Sequence, residues 1–296
     1  MHTVEAAVSR VFKGVATMDG AGVRLRRIFG FHDTEALDPF LLLDWFGSTR
    51  EADYIKGFPW HPHRGICTVT YLLAGTVRHG DSLGNAGTIG PGDLQWMTAG
   101  SGIIHEEMPQ LSPGGVPMGV PDGVSGFQLW LNLAASEKMG KLQYCGVLAS
   151  EVSVVEPAAP GDAKVRVLAG SFQGVAGPVR GAPRDPLYID VELAPGVSIA
   201  LERPKGSTAF AFTFAGSLAC GNAKLEEGDC ALFAPGDTVT LAAGPAGGRC
   251  IWACAQPLRE SVAWGGPIVM NTQAELELAF RELDEGTFVK KGGSRA

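Results

Sequence analysis

The chain has 296 residues, with 24 Lys and Arg against 31 Asp and Glu, for a formal net charge of -7. That length can bury one large core or two modest ones, and the acidic balance leaves no basic footprint for holding a polyanion, so a nucleic-acid role would have to come through a protein partner. The 41 glycines and 19 prolines suit many short strands joined by tight turns rather than a helical protein.

Residues 1–14 lack the apolar core of a signal peptide, and no run approaches the roughly 20 apolar residues of a membrane helix. The expectation is a soluble, cytoplasmic protein without membrane contact. Short bursts of apolar and polar alternation follow at residues 23–26, 68–77, 128–133, 188–193 and 208–218. Each burst is bounded by Gly, Pro, Asn or Asp, the signature of antiparallel strands. Asp81-Ser82-Leu83-Gly84-Asn85 and Pro91-Gly92-Asp93 read as turns between them. Six cysteines spread over the chain do not make a disulfide framework. Cys220, Cys230, Cys250 and Cys254 lack the paired short spacings of a zinc knuckle and read as small buried residues.

Two segments carry chemistry. His61-Pro62-His63 and His105-Glu106-Glu107 each place two donor side chains two residues apart. In an extended strand such residues project from one face, so each segment can aim two ligands at one point. Taken singly, each histidine reads as a surface or satisfied core residue; the shared spacing is what points to a metal. Three neutral imidazoles and a carboxylate suit a divalent first-row ion, and donors of this kind accept iron, nickel, copper, zinc or manganese. With about 42 residues between the segments, the expected geometry is two strands facing one another across a barrel lumen. Four ligands on an octahedral ion leave two positions open for substrate and dioxygen.

A weak internal repeat sets the domain count. Leu73-Ala74-Gly75-Thr76-Val77 with Gly90-Pro91-Gly92-Asp93 and Met97-Thr98-Ala99-Gly100 reappears as Phe214-Ala215-Gly216-Ser217-Leu218 with Glu227-Gly228-Asp229 and Phe233-Ala234-Pro235-Gly236. Two copies of one β-barrel are expected: residues 1–148 as a metal-binding domain and 149–296 as a second domain without metal. Aligned on those glycines, the second copy offers Glu202, Pro204, Leu241 and Ala243 where the first has His61, His63, His105 and Glu107. After residue 270 the period changes. Leu276, Ala279, Phe280 and Leu283 recur at helical spacing, Thr272 and Glu275 form a capping box, and Gly286 ends the helix. The basic tail from Lys290 to Arg295 reads as a frayed terminus.

The residues also resemble a family. Asp38-Pro39-Phe40-Leu41-Leu42-Leu43-Asp44, His61-Pro62-His63-Arg64-Gly65, and the long run from Pro91-Gly92-Asp93 through Ala99-Gly100-Ser101-Gly102 to His105, with Glu107-Met108-Pro109, are similar to pirins, bicupins of the cupin superfamily. Phe127-Gln128-Leu129-Trp130 and Gly266-Pro267-Ile268-Val269-Met270-Asn271-Thr272 extend the similarity over nearly the whole chain. The resemblance implies an all-β fold of two tandem cupin (jelly-roll type) barrels with a short C-terminal helix. It implies a mononuclear iron, Fe(II), held by His61, His63, His105 and Glu107. It further implies a quercetin 2,3-dioxygenase activity, in which Glu107 takes the hydroxyl proton of a flavonol and oxygen opens the central ring with release of carbon monoxide. In vertebrates the resemblance implies instead a nuclear cofactor of transcription, and the alternative reading for this chain is an iron-dependent redox-sensing regulator that binds a protein partner without turnover.

Two positions depart from the pattern. Cys67 stands where cupins and many pirins carry a glutamate, and reads either as a thiol near the metal or as a small buried strand residue. Trp45, where an acidic residue often follows Asp44, reads as pocket packing.

Overall fold

The computed structural model describes residues 3–111, 123–157, 159 and 161–290; residues 291–295 of the basic tail lie outside the described residues. The chain is all-β with a C-terminal helix, and forms two β-barrels. Among the described residues no helix is long and apolar enough to cross a membrane.

The two compact units differ at both termini from contiguous halves. One comprises Met1–Gly14, Ala36–Pro39 and Ser150–Pro257; the other comprises Val15–Glu35, Phe40–Ala149 and Leu258–Ala296. The first strand, Val8–Lys13, pairs antiparallel with Asp229–Phe233 of the late barrel. The C-terminal helix belongs to the unit that carries the histidines. Sequence order hides both exchanges, because strand pairing joins residues that are far apart in the chain.

The histidine-bearing unit has a seven-stranded and a four-stranded sheet. The larger sheet is centred on Ile66–Ala74, Val124–Asn132 and Phe40–Ser48. The smaller runs in the order Phe58–His63, Ile103–Pro109, Val77–Asp81, Ala86–Ile89. Phe58–His63 contains two prolines and lies at the edge of its sheet, the position where a residue without an N–H is tolerated. Asp81 ends its strand as an Asx turn: its Oδ1 accepts from the backbone N–H of Leu83 at 2.9 Å and of Asn85 at 3.0 Å.

The other unit is built on one nine-stranded sheet that includes Thr208–Cys220 and Thr238–Ala255. Its interior is a large apolar cluster containing Val165, Ile189, Leu201, Leu241 and Trp252. The helix Gln273–Asp284 forms as its spacing predicts. The Thr272 side chain accepts from Glu275 N–H, the Glu275 carboxylate accepts from Thr272 N–H, and Leu276 and Ala279 are buried.

Candidate metal centre

Three of the four expected ligand residues come together. Ligand atoms of His61, His63 and His105 all lie within 4.8 Å of one another, and it is the one such group among the described residues. The two ligand strands are hydrogen-bonded neighbours, not opposed across the lumen: His61 lies directly opposite His105 and His63 opposite Ile103. Directly opposite residues share a face at Cβ separations of about 4.5–5.5 Å, which is close enough for three imidazoles to converge.

Hydrogen bonds set the tautomers. His61 Nδ1 is 2.9 Å from the carbonyl of Pro59, and His63 Nδ1 is 3.1 Å from the carbonyl of Pro267. A carbonyl can only accept, so each Nδ1 carries a proton, and in a neutral ring that leaves the lone pair on Nε2. Those two Nε2 atoms face each other at 3.1 Å. His105 is 2 % exposed and neither of its ring nitrogens has a hydrogen-bond partner. Buried polar atoms are nearly always paired, so converging lone pairs beside an orphaned imidazole fit a divalent cation that accepts all three. Burial, with repulsion from neighbouring imidazoles, pushes His63 and His105 well below the ordinary imidazole range. Both are therefore neutral, as metal ligation requires.

Glu107 is buried on the His105 strand but outside the histidine cluster. Its Oε1 accepts from Thr70 Oγ1 at 2.9 Å and its Oε2 from Gln128 Nε2 at 2.8 Å. Gln128 in turn accepts from Trp130 Nε1 at 3.1 Å. Since Thr70 and Gln128 stand on the larger sheet, these bonds tie the two sheets together across the barrel.

Cys67 points away. Thr70 reaches Glu107 from one face of Ile66–Ala74, so Cys67, an odd number of residues away, lies on the opposite face. There it is fully buried, its Sγ is 3.3 Å from Thr98 Oγ1, and burial pushes the thiol up to about 12. The small-buried-residue reading is the one the structure bears out. Trp45 likewise lies on the other side of its strand from Asp44 and outside the histidine cleft. Cys220, Cys230, Cys250 and Cys254 are free, buried thiols whose pKa values burial raises.

A cleft of about 620 Å³ opens onto His61 and His63. Four rings wall it, those of Phe31, Phe58, Trp130 and Trp264. Trp130 meets His63 edge-on with ring centres 5.1 Å apart and lies 5.9 Å from Trp264. A polar group also faces the cleft, where Arg27 donates to both oxygens of Asp44, at 2.8 and 2.7 Å, and to Asp19 at 2.7 Å. The sequence reading missed this group and the Trp264 and Pro267 wall, since nothing in local spacing links residues 19, 44 and 264.

Residues 22–131 match the pirin family and residues 188–289 the pirin C-terminal cupin domain. The chain belongs to the pirin family. Among relatives of this pirin, a Pseudomonas aeruginosa protein named provisionally as a quercetin 2,3-dioxygenase is 40% identical over 285 residues, covering 94% of this chain and 96% of its own. Human pirin is 39% identical over 278 residues, 90% of each chain. The crystal structure of a quercetin 2,3-dioxygenase from Acinetobacter baumannii superposes with a TM-score of 0.86 at 30% identity, covering 96% of this chain and 98% of that one.

The repeat can now be placed in register. Leu241 and His105 each stand twelve residues after the aspartate of the shared Gly-Asp turn. Leu241 pairs with Ile199, and Val239 with Leu201, just as His105 pairs with His61 and Ile103 with His63. The counterparts of His61 and His63 are therefore Ile199 and Leu201, and not Glu202 and Pro204. The connection to the next strand is residues 64–65 in one barrel and 203–207 in the other. That three-residue difference is the shift. Ile199, Leu201, Leu241 and Ala243 all lie in the apolar core.

Proposed function

We propose that this pirin is a metal-dependent dioxygenase of the quercetin 2,3-dioxygenase type, working on a flavonol or similar small aromatic with one iron ion, Fe(II), in the histidine-bearing barrel. The observation that carries the reading is the convergence of His61, His63 and His105 with their Nε2 lone pairs turned inward and no other partner for His105. The names of the Pseudomonas relative and the Acinetobacter structure support the same activity.

On this reading His61, His63, His105 and Glu107 hold the ion, and the second barrel serves without one. When bound, the metal supplies Lewis acidity toward an enol oxygen and redox chemistry toward dioxygen. The rings of Phe31, Trp130 and Trp264 line the cleft and orient a planar substrate against its wall, since offset and edge-on contacts between rings are favourable. Glu107 takes the proton of the flavonol hydroxyl at a carboxylate oxygen, and Thr70 and Gln128 fix the orientation of that carboxylate. The free cysteines suit a reducing cytoplasm.

The test is oxygen uptake and loss of flavonol absorbance with quercetin, using protein reconstituted with Fe(II) under anaerobic conditions. Turnover that tracks metal content is the expected result. Absence of turnover with iron, nickel, copper, zinc and manganese alike would defeat the enzyme reading and leave the regulatory, partner-binding one in its place.

A further inference from the structure

The two cluster histidines of one strand are oriented in different ways. His61 donates to Pro59, two residues back in its own strand, whereas His63 donates to Pro267, 204 residues away in sequence. Pro267 belongs to the segment after residue 257, which packs within the same compact unit as the histidines.

That segment has a built seat. Backbone pairing brings Ile268 alongside Arg64, and the Val269 N–H donates to the Arg64 carbonyl at 3.1 Å. Gly65 has φ +77, and a Cβ there would lie 2.0 Å from the Val269 carbonyl oxygen; one on Gly102 would lie 2.9 Å from that of Phe288. Only glycine leaves room for these carbonyls. The Arg64 side chain, 1 % exposed, donates to the carbonyl of Ser101, to Glu282 at 2.7 Å and to the carbonyl of Phe288, and stacks over the Phe288 ring at 4.2 Å. The buried Lys138 ammonium joins the carbonyls of Gly65 and Val269 to Asn132. Two buried cations thus fix the chain that follows Pro267, Lys138 at the Val269 carbonyl and Arg64 at Glu282 and the Phe288 carbonyl, and neither lines the cleft.

We infer that Arg64, Lys138 and Glu282 are positioning residues for the metal centre: by seating residues 264–269 they hold the Pro267 carbonyl where it fixes the tautomer and ring angle of His63. The inference rests on the metal-centre reading above. Partners that orient ligating histidines are typically worth about 10–100-fold in metal affinity, and this one comes from the far end of the chain. The same seating sets Trp264 in the cleft wall, so ligand geometry and substrate wall move together.

The experiment uses the full chain with Glu282→Gln, which removes the carboxylate partner of Arg64, and with Phe288→Leu, a milder change that keeps an apolar side chain over Arg64. Long-range ¹⁵N–¹H spectra of the histidine side chains are recorded without metal, and Zn(II) and Fe(II) affinities are measured by competition with a chelator. In the wild type both His61 and His63 should be single Nδ1–H tautomers. In the variants His63 should lose that single tautomer while His61, anchored within its own strand, keeps it, and affinity should fall about tenfold or more in Glu282→Gln. A His63 signature that stays put with affinity within about twofold, or a change in His61 and His63 together, would overturn the inference. Wild-type protein that takes up neither ion would overturn the metal-centre reading instead, while the tautomer spectra still decide the role of the seat.

Discussion

The two barrels use the same strand pair for opposite purposes. Phe58–His63 against Ile103–Pro109 presents three imidazoles and Glu107, whereas Ser198–Glu202 against Thr238–Ala255 presents Ile199, Leu201, Leu241 and Ala243 to an apolar core. The first arrangement buries the two ring nitrogens of His105 without a hydrogen-bond partner, a cost that a bound cation would offset. The second gains stability directly from burial, about 25 cal/mol per Å² of apolar surface. The barrel itself is common to both; the side chains at these paired positions make the difference, histidines in one and apolar residues in the other.

The sharpest test of this contrast is Glu107→Gln, which keeps the shape and one of the two acceptor oxygens while removing the proposed base. Loss of a general base typically lowers rate by about a hundred- to ten-thousand-fold, read as oxygen uptake at matched metal content. Retained turnover would remove Glu107 from the chemistry.

Stability should separate the barrels next. Leu241→Ala should destabilise the protein by about 2–5 kcal/mol through lost burial and a cavity. His105→Ala, at the matching position, should leave the metal-free protein no less stable, because it removes two unpaired buried nitrogens whose desolvation costs about 1–3 kcal/mol each. It should also abolish high-affinity metal uptake. Denaturant midpoints and elemental analysis report the two effects, and equal destabilisation by both substitutions would erase the distinction.

A pH series tests the same point on the intact chain. His63 and His105 are held below the ordinary imidazole value of 6.5, so the unfolded chain takes up protons below that pH while the folded chain does not. Stability of the metal-free protein is present above about pH 6.5 and should fall as pH drops through the window beneath it. Metal affinity should fall in the same direction as protons compete for the ligands. The His63→Ala and His105→Ala proteins should show a flatter profile, and an unchanged slope would mean these histidines are not buried neutral.

The smallest effect is expected at Cys67. Because its thiol faces away from the histidines and burial pushes it up to about 12, Cys67→Ser should leave metal content and rate within about twofold. Mass spectrometry after neutral-pH alkylation of the folded protein should find Cys67 unmodified. A large loss of metal in Cys67→Ser would bring the thiol back to the centre.

Much of this was legible in the chain. Period-two alternation exposes strands, and residues two apart on a strand share a face whatever the fold around them, so His61 with His63 and His105 with Glu107 read as pairs; the structure gathers the three histidines and leaves Glu107 outside their cluster. The helix was equally plain, since Thr272 and Glu275 cap it through bonds that span three residues. Local geometry alone settles such features. The register of the second barrel was not legible, because the extra residues in the 203–207 connection shift pairing without disturbing either strand pattern. Nor could spacing tell that Cys67 faces away from the ligands, which required knowing which face of Ile66–Ala74 lines the lumen. The association of residues 258–290 with the early barrel, the Pro267 carbonyl that orients His63, and the Arg27–Asp44–Asp19 group in the cleft depend on contacts between segments far apart in sequence. The sequence by itself determined which donors exist and how each strand presents them, because backbone geometry repeats over a few residues. The tertiary structure alone decided which distant carbonyl, ring or cation each donor meets, because those meetings follow from how the strands pair and pack.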